Sequence, residues 1–148
     1  MLNLMTRRAA AALAVAALTA SCAMMQPSNT IRLGGKLSGA SEVPPAATDG
    51  AGTVEVTLNK ETNLLTWKVS YGGLSGPARA GHFHGPAMAG QNVGVVLGFT
   101  GSIESPFQGQ ATVTAAQATD ILAGKWYVNL HTAKYPGGEI RAQVLPAN

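Results

Sequence analysis

Alternation of apolar and polar residues at a period of two constrains this chain more than any other feature. Val54, Val56 and Leu58 alternate with Thr53, Glu55 and Thr57. Leu65, Trp67, Val69 and Tyr71 alternate with Leu64, Thr66, Lys68 and Ser70. Near the C-terminus, Trp126, Val128 and Leu130 alternate with Lys125, Tyr127 and Asn129, and Ile140, Ala142 and Val144 with Glu139, Arg141 and Gln143. Successive side chains of a strand point to opposite faces, so each run predicts a strand with one buried and one solvated face. Weaker strands are expected at 31–38, 80–84, 94–100 and 108–114.

Turn residues separate these runs. The stretch 59–63 predicts a hairpin loop, and Gly72-Gly73, Ser75-Gly76-Pro77, Gly85-Pro86 and Pro136-Gly137-Gly138 punctuate the rest. One short helix is expected, with Thr114 as N-cap, helix formers over 115–122 and Gly124 at its end. Eight short strands with regular turns predict an all-β antiparallel Greek-key β-sandwich, immunoglobulin-like or Cu,Zn superoxide dismutase-like, with one connecting helix.

The first residues have a different character. Arg7 and Arg8 precede an apolar run from Ala9 to Ala20, too short for a bilayer span, which takes about 20 residues. Residues 1–21 are expected to be an export signal, 22–30 a tether and 31–148 the folded domain. Leu18-Thr19-Ala20-Ser21-Cys22 resembles a bacterial lipobox, although its leucine stands one place early. Lipidation of Cys22 is the favoured reading and ordinary cleavage after Ala23 the alternative. The arginine pair gives a weak twin-arginine signal. The expected location is the cell envelope, lipid-anchored in the periplasm or at the outer membrane, or otherwise secreted. Cys22 is the only cysteine, which excludes an intramolecular disulfide. Without Arg7 and Arg8 the formal charge falls from +3 to +1. No basic run remains, so nucleic acid is not an expected partner and the membrane enters only through the anchor.

The chain has three histidines, all in two short stretches: His82 and His84 in Gly81-His82-Phe83-His84-Gly85, and His131 in Asn129-Leu130-His131-Thr132. On a strand, the i and i+2 imidazoles share a face. Phe83 is expected inward and the two histidines outward. His131, in phase with Tyr127 and Asn129, falls on the outer face too. Three imidazoles with an open position suit copper first and zinc second. Met88 is a possible accessory thioether ligand, with loop packing as its favoured role. Glu42 and Glu139 could each accept a hydrogen bond from the far side of a ligand imidazole, although a solvated carboxylate, or for Glu139 a salt link to a lysine or arginine, is favoured. No catalytic residue is assigned. Ser75 lacks the nucleophile-elbow pattern, the carboxylates lack glycosidase spacing, and the glycines are turn residues rather than a phosphate loop.

Three segments together carry a family likeness: 37–45 (LSGASEVPP), 80–87 (AGHFHGPA), and 127–132 (YVNLHT) with 136–141 (PGGEIR). From Leu37 to Val144 the chain resembles the CHRD domain, named after chordin and found in many exported bacterial proteins. Ala142 stands where the family often has glycine. The resemblance implies a β-sandwich module. In chordin the domains belong to an extracellular binder of growth factors, a role that fold alone does not transfer. The H-x-H strand with a later histidine is also similar to the copper site of copper/zinc superoxide dismutase, but this chain lacks that family's zinc ligands and disulfide. The expected role is therefore copper capture or handling in the cell envelope. A metal-free structural or adhesive module that binds a protein or glycan is the first alternative. A small copper oxidoreductase is the second.

Overall fold

The computed structural model describes residues 29–147. The expected signal, Cys22 and most of the tether lie outside them. The strands are β1 (Thr30–Ser38), β2 (Ala51–Asn59), β3 (Leu64–Gly72), β4 (Ala80–His84), β5 (Val95–Gly98), β6 (Phe107–Thr112), β7 (Trp126–His131) and β8 (Ile140–Pro146), with helix α1 at Ala115–Leu122 between β6 and β7. A short 3₁₀ turn, Gly39–Ser41, follows β1. No described helix is long and apolar enough to cross a membrane.

All eight strands join one antiparallel sheet in the order β5-β4-β7-β8-β1-β2-β3-β6. The sheet curls so that its two ends face each other, which gives the expected all-β, sandwich-like fold. Trp67 of β3 meets Phe83 of β4 edge-on at 5.3 Å between ring centroids, and Phe99, just after β5, meets Phe107 of β6 at 5.2 Å. The inward residues are those that the alternation marks: Val54, Val56, Leu58, Leu65, Trp67, Val69, Trp126, Val128, Leu130, Ile140, Ala142 and Val144 are all buried. Deep burial of such side chains contributes about 1.5–3 kcal/mol each, the main drive for the curl.

Helix α1 forms where its caps predict. Thr114 accepts from the Gln117 backbone while the Gln117 side chain accepts from the Thr114 N–H, a reciprocal capping box. At the other end Gly124 takes φ +69, Gly124 N–H bonds Ile121 O and Lys125 N–H bonds Asp120 O. This is a Schellman ending that requires a residue tolerant of positive φ. Ile121 and Ala118 face the core.

The outer faces depart from expectation at one end of the sheet. Every residue from Trp126 to Leu130 is buried, including the outward Tyr127 and Asn129, and on β8 the outward Arg141 is buried as well. Segments 39–50 and 85–94 fold across this face and tie to each other, the Asn92 side chain donating to Val43 O at 2.8 Å. The alternation gave the phase correctly, but the side expected to be wet is covered.

Candidate metal site

The sheet order explains how residues distant in sequence meet. β4 pairs with β7, so His82 stands across from Asn129, His84 across from Tyr127, and His131 across from Ala80. Phe83, between the two β4 histidines, points into the core at 1% exposure. Its neighbours therefore emerge on the covered outer face, as the alternation requires. His82, His84 and His131 each offer a ring nitrogen, and these atoms lie within 4.8 Å of one another.

Each ring is held in a particular way. His131 Nδ1 lies 2.9 Å from Pro136 O, and His84 Nδ1 lies 2.9 Å from Val93 O. A carbonyl oxygen only accepts, so both Nδ1 atoms carry the proton, and in a neutral ring the lone pair is then on Nε2. His82 Nδ1 and His131 Nε2 approach to 3.0 Å. His84 Nε2 faces Asn129 Oδ1 at 3.0 Å. The His84 ring stacks on Tyr127 at 4.6 Å with 3° between planes. The Arg141 guanidinium lies 3.4 Å from the centre of the same Tyr127 ring. β7 separates β4 from β8 in the sheet, so Tyr127 is packed between His84 and Arg141.

The electrostatics favour neutral rings at His82 and His131. Burial first, then the neighbouring His131 and His84, push the His82 pKa below the ordinary histidine value. Burial likewise lowers that of His131, with the Pro136 carbonyl opposing and His84 adding to the shift. Neutral imidazole is the ligating form.

The other sequence candidates fall elsewhere. Met88 is 55% exposed in the loop after β4, and its backbone N–H bonds the Gln91 side chain. Glu139, favoured as a solvated or ion-paired carboxylate, is neither: it is 0% exposed and accepts from Thr48 Oγ1 (2.6 Å), Ser75 N (2.7 Å), Ser75 Oγ (2.6 Å) and Thr132 Oγ1 (2.5 Å). Burial alone would raise its pKa, but these hydrogen bonds outweigh burial and hold it at about 2. It braces loops around the site and hydrogen-bonds no imidazole. Glu42 is also buried, at 5% exposure. Burial pushes its pKa up to about 7 against the opposing Arg141 charge, the Asn129 side chain and the Val43 backbone. Its burial overturns the favoured solvated carboxylate, and Glu42 reaches the histidines only through Asn129.

Asn129, Tyr127 and Arg141 are the site residues that sequence reasoning did not single out. Their common signal was phase. Tyr127 and Asn129 share the face of His131, and Arg141 is the register partner of Asn129.

The sequence profile of the CHRD domain matches residues 33–144, which takes in every strand that builds this site. This chain belongs to the CHRD domain family. No curated protein and no solved structure matches it. The match runs from within β1 to within β8, so the CHRD domain comprises nearly the whole described sheet, histidines included.

Proposed function

We propose that this CHRD domain binds one transition-metal ion through His82 Nδ1, His84 Nε2 and His131 Nε2, with copper favoured over zinc, and serves in metal capture or handling in the cell envelope. One observation carries the reading: three imidazoles from two adjacent strands converge, and two of them have Nδ1–H tied to main-chain carbonyls. Such outer partners are those that fix tautomer and ring orientation at metal-binding histidines. Nitrogens bound at 2.0–2.1 Å around a tetrahedral ion stand about 3.3 Å apart. The 3.0 Å spacing of the His82–His131 pair is already close to that value, and a modest inward shift of His84 completes the set.

The signal-like residues 1–21 and the lipobox-like sequence at Cys22 support export and lipid anchoring. The mass of the mature N-terminal peptide tests this, since lipidation gives an end at a diacylated Cys22 and ordinary cleavage an unmodified end at Met24.

Calorimetric titration of the metal-stripped domain with cupric ion should give one site. His84→Ala should weaken binding by at least about a hundredfold, as expected for loss of one of three nitrogen donors. Unchanged affinity in that variant would remove the histidines from the assignment.

A second reading rests on a different surface. Glu55, Thr57, Thr66, Lys68, Gln108 and Gln110 line an open polar groove on the outer face of β2, β3 and β6, a surface suited to a protein or glycan in a metal-free adhesive role. Metal analysis of the domain purified without added copper separates the two readings. A dismutase or oxidase assay on the loaded protein tests the oxidoreductase alternative.

A further inference from the structure

Among the described residues, Asn129 is the one non-histidine side chain that hydrogen-bonds a ring nitrogen of the three histidines. It sits in the middle of β7, 3% exposed, across the register from His82 and two residues before His131. Its Oδ1 lies 3.0 Å from His84 Nε2. The Val93 carbonyl takes the Nδ1 proton of His84, so in the neutral ring Nε2 presents a lone pair. An amide oxygen presents only lone pairs as well. Val93 O and Asn129 Oδ1 thus set an acceptor against each ring nitrogen of His84, an arrangement that a positive charge satisfies, either a second ring proton or a metal ion at Nε2.

Turning the amide over would remove the conflict, but the surroundings oppose it. The Asn129 NH₂ and the Glu42 carboxyl share the space over Gly138, where a Cβ would collide with Glu42 Oε1. The Asn129 side chain donates to the Glu42 carboxyl, which places its NH₂ end there and leaves its oxygen towards His84. Gly138 adopts φ +131, which favours glycine and keeps this space free of a side chain.

We infer that Asn129 Oδ1 is the fourth donor of the metal site, completing a three-nitrogen, one-oxygen shell that selects a divalent ion over cuprous ion, with Glu42 as the positioning residue that aims the amide. The inference rests on the three-histidine reading above. An oxygen donor suits a divalent ion, while the softer cuprous ion gains little from it. A closed four-coordinate shell also fits holding a metal better than turning over a substrate, since catalytic sites keep a position open.

Metal-stripped wild type and the variants Asn129→Ala, Asn129→Asp, Glu42→Gln and His84→Ala are titrated with zinc and cupric ion, and with cuprous ion anaerobically against a competing chelator. Thermal melts of the stripped proteins check folding. The expected result is a loss of about tenfold or more in divalent affinity for Asn129→Ala, with cuprous affinity within about threefold, and a gain of about tenfold in divalent affinity for Asn129→Asp. Glu42→Gln, whose own NH₂ competes for the same space, should weaken divalent binding in the same direction. The paramagnetic resonance spectrum of the cupric protein should change between wild type and Asn129→Asp. If Asn129→Ala does not fold, the aspartate variant and the cupric spectrum decide. Divalent affinities unmoved in both Asn129 variants, or equal losses for all three ions, overturn the fourth-donor role while leaving the histidine site intact. Wild type that binds none of the three ions overturns both.

Discussion

The outer faces at the two ends of the sheet have the same sequence pattern and opposite fates. On β2, β3 and β6 the outward residues Glu55, Lys68, Gln108 and Gln110 are exposed along an open groove. On β4, β7 and β8 the outward residues His84, Tyr127, Asn129 and Arg141 are buried under segments 39–50 and 85–94. Alternation alone cannot tell these cases apart, because period two reports which side a residue takes and not what lies over that side. Burying polar groups costs stability unless each finds a partner. At the covered end most do: Arg141 donates to Asn92 Oδ1 and Gln91 O, Gln143 donates to Ala87 O and Gly124 O, and Glu139 collects four donors, while Glu42 Oε1 and Gln143 Oε1 are left without one. A polar face maintained out of water with such partners has a different purpose from one left to the solvent.

This contrast can be broken by substitution, and the largest effect should come from Glu139. Glu139→Ala removes four charge-assisted hydrogen bonds and leaves the buried Thr132 hydroxyl without its carboxylate acceptor, and should cost about 3–5 kcal/mol in urea unfolding. Glu55→Ala on the open face should stay within about 0.5 kcal/mol. Equal losses would erase the distinction. Next comes Gly138→Ala, which forces a Cβ against Glu42 Oε1 at a positive φ. A loss of about 2–3 kcal/mol is expected, and a neutral result would show that the cover yields.

Glu42 sharpens the contrast through pH. Its folded pKa of about 7 stands above the ordinary glutamate value of 4.5. The folded state therefore holds the proton more tightly. The resulting stabilisation is full below pH 4.5 and is lost as pH rises through about 7. Glu42→Gln lacks this dependence, so unfolding curves at pH 5 and pH 8 should show the variant gaining on wild type at the higher pH, on the order of 2 kcal/mol. A constant difference across that range would place Glu42 in contact with water. The smallest effect belongs to the open face: Thr57→Val breaks the 2.6 Å hydroxyl pair with Thr66 and should cost less than about 1 kcal/mol.

Most of the fold was legible in the sequence because it depends on local rules. The phases of β2, β3, β7 and β8 follow from alternation, and the Thr114 cap and Gly124 ending place α1. The pairing of the histidines was legible only as a possibility, since it depends on β4 lying beside β7, a contact between residues 49 positions apart for His82 and His131. The carboxylates were misread for a related reason. Glu139 looks like any strand-end charge until Thr48 and Ser75, from loops 91 and 64 residues away, close over it. Asn129 was passed over because an amide carries no motif, and its meaning comes from the pairing of β7 with β4, which sets its Oδ1 3.0 Å from His84 Nε2.

The place of β8 in the sheet has a consequence for how the chain assembles. Hydrogen bonding groups the strands into two sets, β5-β4-β7 on one side and β1-β2-β3-β6 on the other, and β8 is the keystone between them. During synthesis, residues 140–146 emerge after every strand they join. Until they dock, no strand hydrogen-bonds the two sets to each other, β7 and β1 have open edges, and only side-chain packing such as Trp67 on Phe83 connects the pair of strands that carries the imidazoles to the rest of the sheet.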